Sequence, residues 1–129
     1  MTGAVTIRVQ GVDKLLGKFA KLDDRMKREL NEAAEKSAVV VHKRAATYPR
    51  KRPSSNYRRT HTLGRRWRYR VRNGSATVSN TTKYGKWVMG AKTQARVHKG
   101  RWARTDQIAK EQERKITGFY DHAIKQATK

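Results

Sequence analysis

From Arg66 to Arg72 every second residue is arginine, and Trp67, Tyr69 and Val71 fill the gaps. In an extended strand, alternate residues share a face and lie about 6.6–6.8 Å apart. Arg66, Arg68, Arg70 and Arg72 would then form one row of guanidinium groups, with an apolar face behind them. That spacing is close to the separation of successive phosphates along an extended nucleic-acid strand. Guanidinium pairs with phosphate or carboxylate through two parallel hydrogen bonds. The chemistry on offer is anion recognition, by nucleic acid or by an acidic protein surface.

The wider charge pattern agrees. The 129-residue chain has 32 Lys and Arg against ten Asp and Glu, a formal net charge of +22. From Lys36 to Thr105 there is no acid, yet 20 of the basic residues fall there. The acids lie at the two ends, as Asp13, Asp23, Asp24, Glu29, Glu32 and Glu35, then Asp106, Glu111, Glu113 and Asp121. A field of one sign over the middle of the chain attracts polyanions or an acidic neighbour.

Other chemistry is not announced. There is no cysteine, which excludes a disulfide scaffold and a cysteine zinc site. His42, His61, His98 and His122 are not at metal-ligand spacing with one another or with acids. The acids read as helix caps or i,i+4 partners, as Glu32 with Lys36. No phosphate-loop, dinucleotide-loop, serine-elbow or zinc-protease signature occurs. We expect a non-enzyme with no catalytic residue, no metal and no cofactor. The N-terminus has no signal-peptide pattern and no window is apolar enough to span a membrane. The expectation is therefore a soluble protein made in a cytoplasm.

One domain with one modest core is expected over residues 1–129. "AVTIRVQGV" alternates around Val5, Ile7 and Val9, as a short strand does. "VDKLLGKFAKL" has helical spacing through Val12, Leu15, Leu16, Phe19 and Leu22, weakened by Gly17. A longer helix follows Asp23 or Asp24 as N-cap, with a stripe through Met26, Leu30, Ala33, Ser37, Val40 or Val41, and Ala45. Tyr48-Pro49 stops it. A basic loop over about 48–61 is expected to be exposed and mobile, and Arg50, Lys51, Arg52, Arg58 and Arg59 make it a candidate interface.

Asn73-Gly74 suits a two-residue hairpin turn. It sets Val71, Tyr69 and Trp67 against Ala76, Val78 and Asn80 on one face, and Arg72, Arg70 and Arg68 against Ser75, Thr77 and Ser79 on the other. Trp67 and Tyr69 should pack under the helices with Leu30, Phe19 and Ile116. "KYGKWVMGAK" reads as a third strand or irregular edge, and "TQARVHKGRWART" as loop. Asp106 should cap a last helix, with a stripe through Ile108, Gln112, Ile116, Phe119 or Tyr120, Ala123 and Ala127. The class is α+β, a small antiparallel sheet packed against two or three helices.

The segments "YRRTHTLGRRWRYRV", "ATVSN" and "YGKWVMG", with Gln94, His98 and Trp102, resemble the tail-completion or minor-tail family of long-tailed bacteriophages. The opening "VTIRVQGVDKLLGKFAKL" is similar to the family's usual start. The likeness covers about residues 5–105 and a terminal helix, on scattered positions that include Thr62, Leu63, Tyr84, Val88, Gly90, Gln94, His98 and Trp102. His61 departs from the pattern, standing where many relatives have glycine, and relatives are usually less basic.

The resemblance implies a structural virion protein of the tail or neck, assembled in the host cytoplasm. It would act as a subunit of a homo-oligomeric ring in tail completion or head–tail joining. Its partners would be head–tail connector and tail tube or tail terminator proteins, with contact to packaged DNA as a further expectation and no membrane. The residues alone leave open a basic nucleic-acid-binding module acting on DNA or RNA and, on charge alone, a ribosome-associated protein.

Overall fold

A computed structural model describes residues 5–9, 13–49 and 62–129. The strands are β1 (Val5–Val9), β2 (Trp67–Arg72) and β3 (Ser75–Asn80), and the helices are α1 (Asp13–Leu16), α2 (Asp24–Ala45), α3 (Thr62–Arg65), α4 (Gly85–Met89) and α5 (Thr105–Ala127). The architecture is α+β: an antiparallel three-stranded sheet in the order β1-β3-β2, packed on the two long helices α2 and α5.

The helices run antiparallel. Arg44 Nε donates to Glu111 Oε2 at 2.8 Å, and Arg25, near the other end of α2, donates to the Lys129 carbonyl at the far end of α5. Asp23 is the N-cap of α2, accepting from Met26 N at 2.8 Å. Its buried stripe runs through Leu30, Ala33, Ala34, Ser37, Ala38, Val41 and Ala45. Four alanines and a serine, all within the stripe, let α5 approach closely, and Ile108, Ile116, Tyr120 and Ala123 fill the gap. Glu32 and Lys36 form the expected i,i+4 pair at 3.4 Å.

The hairpin has the expected register, Trp67 to Asn80, Tyr69 to Val78 and Val71 to Ala76. Asn73 and Gly74 both have positive φ, 50° and 79°, as a type I′ turn requires. The turn is locked into the core. Gly74 N donates to Asn31 Oδ1 at 2.7 Å, and Tyr120 donates its hydroxyl hydrogen to the Gly74 carbonyl. A Cβ at Gly74 would lie 2.6 Å from Leu16 Cδ2, and its φ of 79° would strain any other L residue, so the position favours glycine.

Several expectations are corrected. The third strand is not the segment around Trp87 but β1, which pairs Ile7 with Val78. β1 and β2 flank β3, and Gly85–Met89 closes as a short helix outside the sheet. The helical pattern after Asp13 breaks at Gly17 and Lys18 and resumes as one 3-10 turn, Phe19–Lys21. Asp106 is not the cap of α5. Thr105 starts the helix, and Gln107 Oε1 accepts from Arg104 N at 2.9 Å.

Tyr69 is on the helix-facing side but 40% exposed, because β2 is an edge strand and α2 covers it only in part. Trp67 is fully buried in the core that also holds Leu30 and Ile116, with Phe19 packed against it. Leu16, Phe19 and Leu30 gather round Gly74, whereas the Trp67 carbonyl lies against His42 at the other end of β2. The loop residues Arg50, Lys51, Arg52, Arg58 and Arg59, and His61, lie outside the described residues, and so does the expected mobility. The stem of that loop is tied: Gly64 N donates to the Tyr48 hydroxyl at 2.9 Å.

A candidate arginine docking face

The sheet has two unlike faces. Val5, Ile7, Val9, Ala76, Val78, Asn80 and Trp67 point to the helices and are buried. The opposite face carries Thr6, Arg8, Thr77, Ser79, Arg68 and Arg70, with Arg72 and Ser75 at the turn. Arg8, Thr77 and Arg70 stand side by side across the three strands. Two strand spacings separate Arg8 from Arg70 at the backbone, roughly 9–10 Å. Arg8, Arg70, Arg72, Ser75 and Thr77 line one open depression, walled at its end by Leu16.

The arginine row thus differs from the one read along β2. Arg66 precedes the strand, in the turn after α3, and its N–H donates to the Leu63 carbonyl at 3.3 Å. Arg68 is in the row but turned back: its Nη1 donates to the Arg65 carbonyl at 2.6 Å and the Trp67 carbonyl at 2.9 Å. Arg70 and Arg72 remain, and Arg8 joins them from β1. None of the three forms an ion pair among the described residues, whose ion pairs are Glu32–Lys36, Arg44–Glu111 and Arg104–Asp106. Glu113 shares a cleft with Arg8 on the β1 side without pairing to it. The face offers three guanidinium groups and neighbouring hydroxyls to an anion from outside.

Arg8 was not part of the sequence reading of the site. The signal was present, since Thr6 and Arg8 alternate with Val5, Ile7 and Val9, but the pairing of β1 with β3 was not.

The positions that carry the family likeness build a frame beside this face. Thr62 opens α3. Leu63 is buried, and its carbonyl accepts from Asn80 Nδ2 at 2.6 Å. Asn80 Oδ1 accepts from Thr82 N and Thr82 Oγ1, so this fully buried amide is satisfied on both ends. Gln94 Nε2 donates to the carbonyls of Val88 and Trp102, both at 2.8 Å, with the His98 carbonyl at 3.5 Å. Gly90 admits no side chain, since a Cβ would lie 2.0 Å from Thr93 Oγ1 and 2.5 Å from the Lys86 carbonyl. The Trp102 ring meets Tyr48 edge-on at 5.2 Å and His98 at 6.4 Å.

Burial, and secondarily the charge of Arg101, lowers the His98 pKa from its ordinary value. Tyr84 differs from its companions: it is exposed beside Trp87, which is 50% exposed with Lys86 Nζ 4.8 Å above its ring.

On the β2 side the Tyr69 hydroxyl donates to Glu35 Oε1 at 3.3 Å, and the ring meets His42 edge-on at 5.9 Å. The Glu35 charge, aided by burial and that hydrogen bond, raises the Tyr69 pKa. Among the described residues there is no group of three or more His, Cys, Asp or Glu placed to hold a metal ion, and no helix long and apolar enough to cross a membrane.

The fold is α+β, and its outer sheet face is basic and exposed. Comparison of the chain with family models, with curated proteins and with solved structures found no match in any of the three.

Proposed function

We propose that this chain is a structural subunit of a long-tailed bacteriophage particle, working in a homo-oligomeric ring at tail completion or head–tail joining. In this reading it assembles in the host cytoplasm and ends in the tail or neck of the virion. Its sheet face docks on an acidic rim of a connector, tail tube or tail terminator protein, and the ring surrounds the path of packaged DNA. No catalytic step and no cofactor is assigned to it.

The observation that carries the docking is the trio Arg8, Arg70 and Arg72, without an ion pair among the described residues, on an outer sheet face whose inner side is used by the core except at the half-covered Tyr69 and Val71. The place in the particle rests on the resemblance of the middle of the chain. It is supported by the way Leu63, Val88, Gly90, Gln94, His98 and Trp102, scattered in sequence, serve one frame.

The test is the double change Arg70→Gln with Arg72→Gln in cells that produce the particle. The parent should co-purify with particles in stoichiometric copies. The variant should still form rings and fail to join heads to tails. Normal yield of infectious particles from the variant would sink the reading.

A nucleic-acid module is the second reading, favoured by one observation. Tyr84 and Trp87 are exposed aromatics in a lysine-bearing segment, with Lys83 and Lys86 beside them. Exposed rings amid positive charge stack on unpaired bases. Quenching of tryptophan fluorescence by single-stranded oligonucleotide, lost in Trp87→Ala, would favour this reading over the first.

A further inference from the structure

Among the described residues β2 is an edge strand, and its outer side is chemically specific. The two-residue turn makes Arg72 and Ser75 the hydrogen-bonded closing pair. Backbone direction then alternates along the strand: Arg72, Arg70 and Arg68 address β3, while Val71, Tyr69 and Trp67 address the outside. At Trp67 the outward carbonyl is already held, by His42 Nε2 at 3.1 Å and by Arg68 Nη1. At Tyr69 and Val71 no described residue takes the outward N–H or C=O. Each therefore offers one donor and one acceptor along the open edge.

The surroundings of the edge suit an added strand. On the helix side a groove runs between α2 and β2, lined by Asn31, Glu35, Val71 and Arg72. Val39, 46% exposed, stands on the same flank of α2 as Glu35 and His42, which touch Tyr69. The acids beside the groove are engaged, Glu32 by Lys36 and Glu35 by the Tyr69 hydroxyl. The inner side of the edge thus presents Tyr69, Val71 and Val39 among the polar side chains Asn31, Glu32, Glu35 and Lys36 of α2, and the outer side carries Arg70 and Arg72.

We propose that the β2 edge accepts an extended segment of an acidic protein partner as a fourth strand. The segment alternates acidic and apolar residues. Its acids lie beside Arg70 and Arg72 on the outer face, and its apolar residues lie towards Tyr69, Val71 and Val39. Opposite charges on neighbouring strands attract across the ladder, and the backbone supplies the affinity.

A second copy of this chain does not fit. Antiparallel pairing of two β2 edges would bring arginine against arginine on one face, and like charges directly opposite are destabilising. The chain's own segment 50–61 has the same sign, with five Lys and Arg and no acid. The inference rests on the reading of the arginine face as a protein-docking face.

The experiment uses the full chain, isotope-labelled, with four probes at physiological salt. They are a short peptide alternating glutamate and valine, its scrambled counterpart, the same peptide N-methylated at alternate residues, and an oligothymidylate. Amide exchange is read at Tyr69 and Val71. The alternating peptide should slow exchange at both amides by about tenfold or more, and N-methylation on the pairing side or scrambling should weaken binding by about tenfold.

If the scrambled peptide binds as tightly and neither amide is protected, strand addition is wrong while acidic docking stands. If only the oligonucleotide binds, both the edge inference and the docking reading fall. If neither acidic peptide binds, the inference falls as well.

Discussion

Two polar regions flank the same hairpin and are built on opposite rules. At the Asn80 end most buried polar groups have partners, among them the Asn80 amide, Thr82, the Leu63 carbonyl and the carbonyls held by Gln94, while the buried Trp67 Nε1 has none among the described residues. On the outer sheet face Arg8, Arg70 and Arg72 have no ion pair among the described residues, although they carry full charges. A buried polar group without a partner is costly, so the first region is constrained by folding. An exposed guanidinium is solvated and costs the fold little, so the second is free to serve something outside the chain. Arg68 shows the boundary. One register step from Arg70, it has been drawn into the first region by two backbone carbonyls.

The comparison can be broken at several points. The largest effect should come from Trp67→Ala, which empties the site of the bulkiest fully buried side chain. The expected loss is about 3–5 kcal/mol in urea unfolding, a large share of the stability of a small domain. An unchanged melting curve would overturn the assignment of the inner face.

Asn80→Ala comes next. It leaves the buried Thr82 donors without their partner and the Leu63 carbonyl with only the longer bond from Arg66 N, at on the order of 1–3 kcal/mol for each orphaned group. A loss no larger than that of the exposed Thr81→Ala would mean the corner is not the constrained region.

A smaller effect should follow pH. Burial and Arg101 lower the folded-state pKa of His98. The unfolded chain then binds the proton more readily, so His98 contributes stability that is present above about pH 6.5 and is lost as pH falls through the folded value. His98→Gln should flatten that part of the stability–pH curve. An equally steep curve in the variant would assign the effect to another group.

The smallest effect on stability should come from Arg70→Gln with Arg72→Gln, within about 0.5 kcal/mol of the parent. Relief of like-charge repulsion works in the stabilising direction. The same variant should lose binding to an acidic partner, and high salt should imitate it, since attraction between exposed charges fades over about 8 Å at physiological ionic strength. A drop in melting stability as large as that of Asn80→Ala would show that these arginines belong to the fold, and the contrast between the regions would collapse.

The alternation of Arg68, Arg70 and Arg72 with Trp67, Tyr69 and Val71, joined to Asn73-Gly74, was enough to predict the hairpin, its register and which side carries charge. Those features are local, since a two-residue turn sets the pairing and period two sets the face. The long helices were equally readable, because an apolar stripe and a cap are properties of one segment.

What stayed hidden involved distant partners. Residues 83–92 read as a third strand or an irregular edge, whereas β1 is the strand that pairs with β3 and Gly85–Met89 is helical. Asn80 was readable as the inner-face partner of Trp67, but not that α3 returns the Leu63 carbonyl to its buried amide. Tyr69 looked like core, but coverage of an edge depends on where α2 lies.

By itself, then, the sequence determined the α+β elements, the hairpin and a middle segment with no acid to neutralise it, because turn geometry, periodicity and charge are carried by neighbouring residues. Only the tertiary structure decided which arginines form the face. It brought Arg8 beside Thr77 and Arg70, turned Arg68 to the carbonyls of Arg65 and Trp67, and left Arg66 outside the strand. The reason is physical: strand order and the competition between carbonyls and solvent for a guanidinium are settled by contacts between segments far apart in the chain.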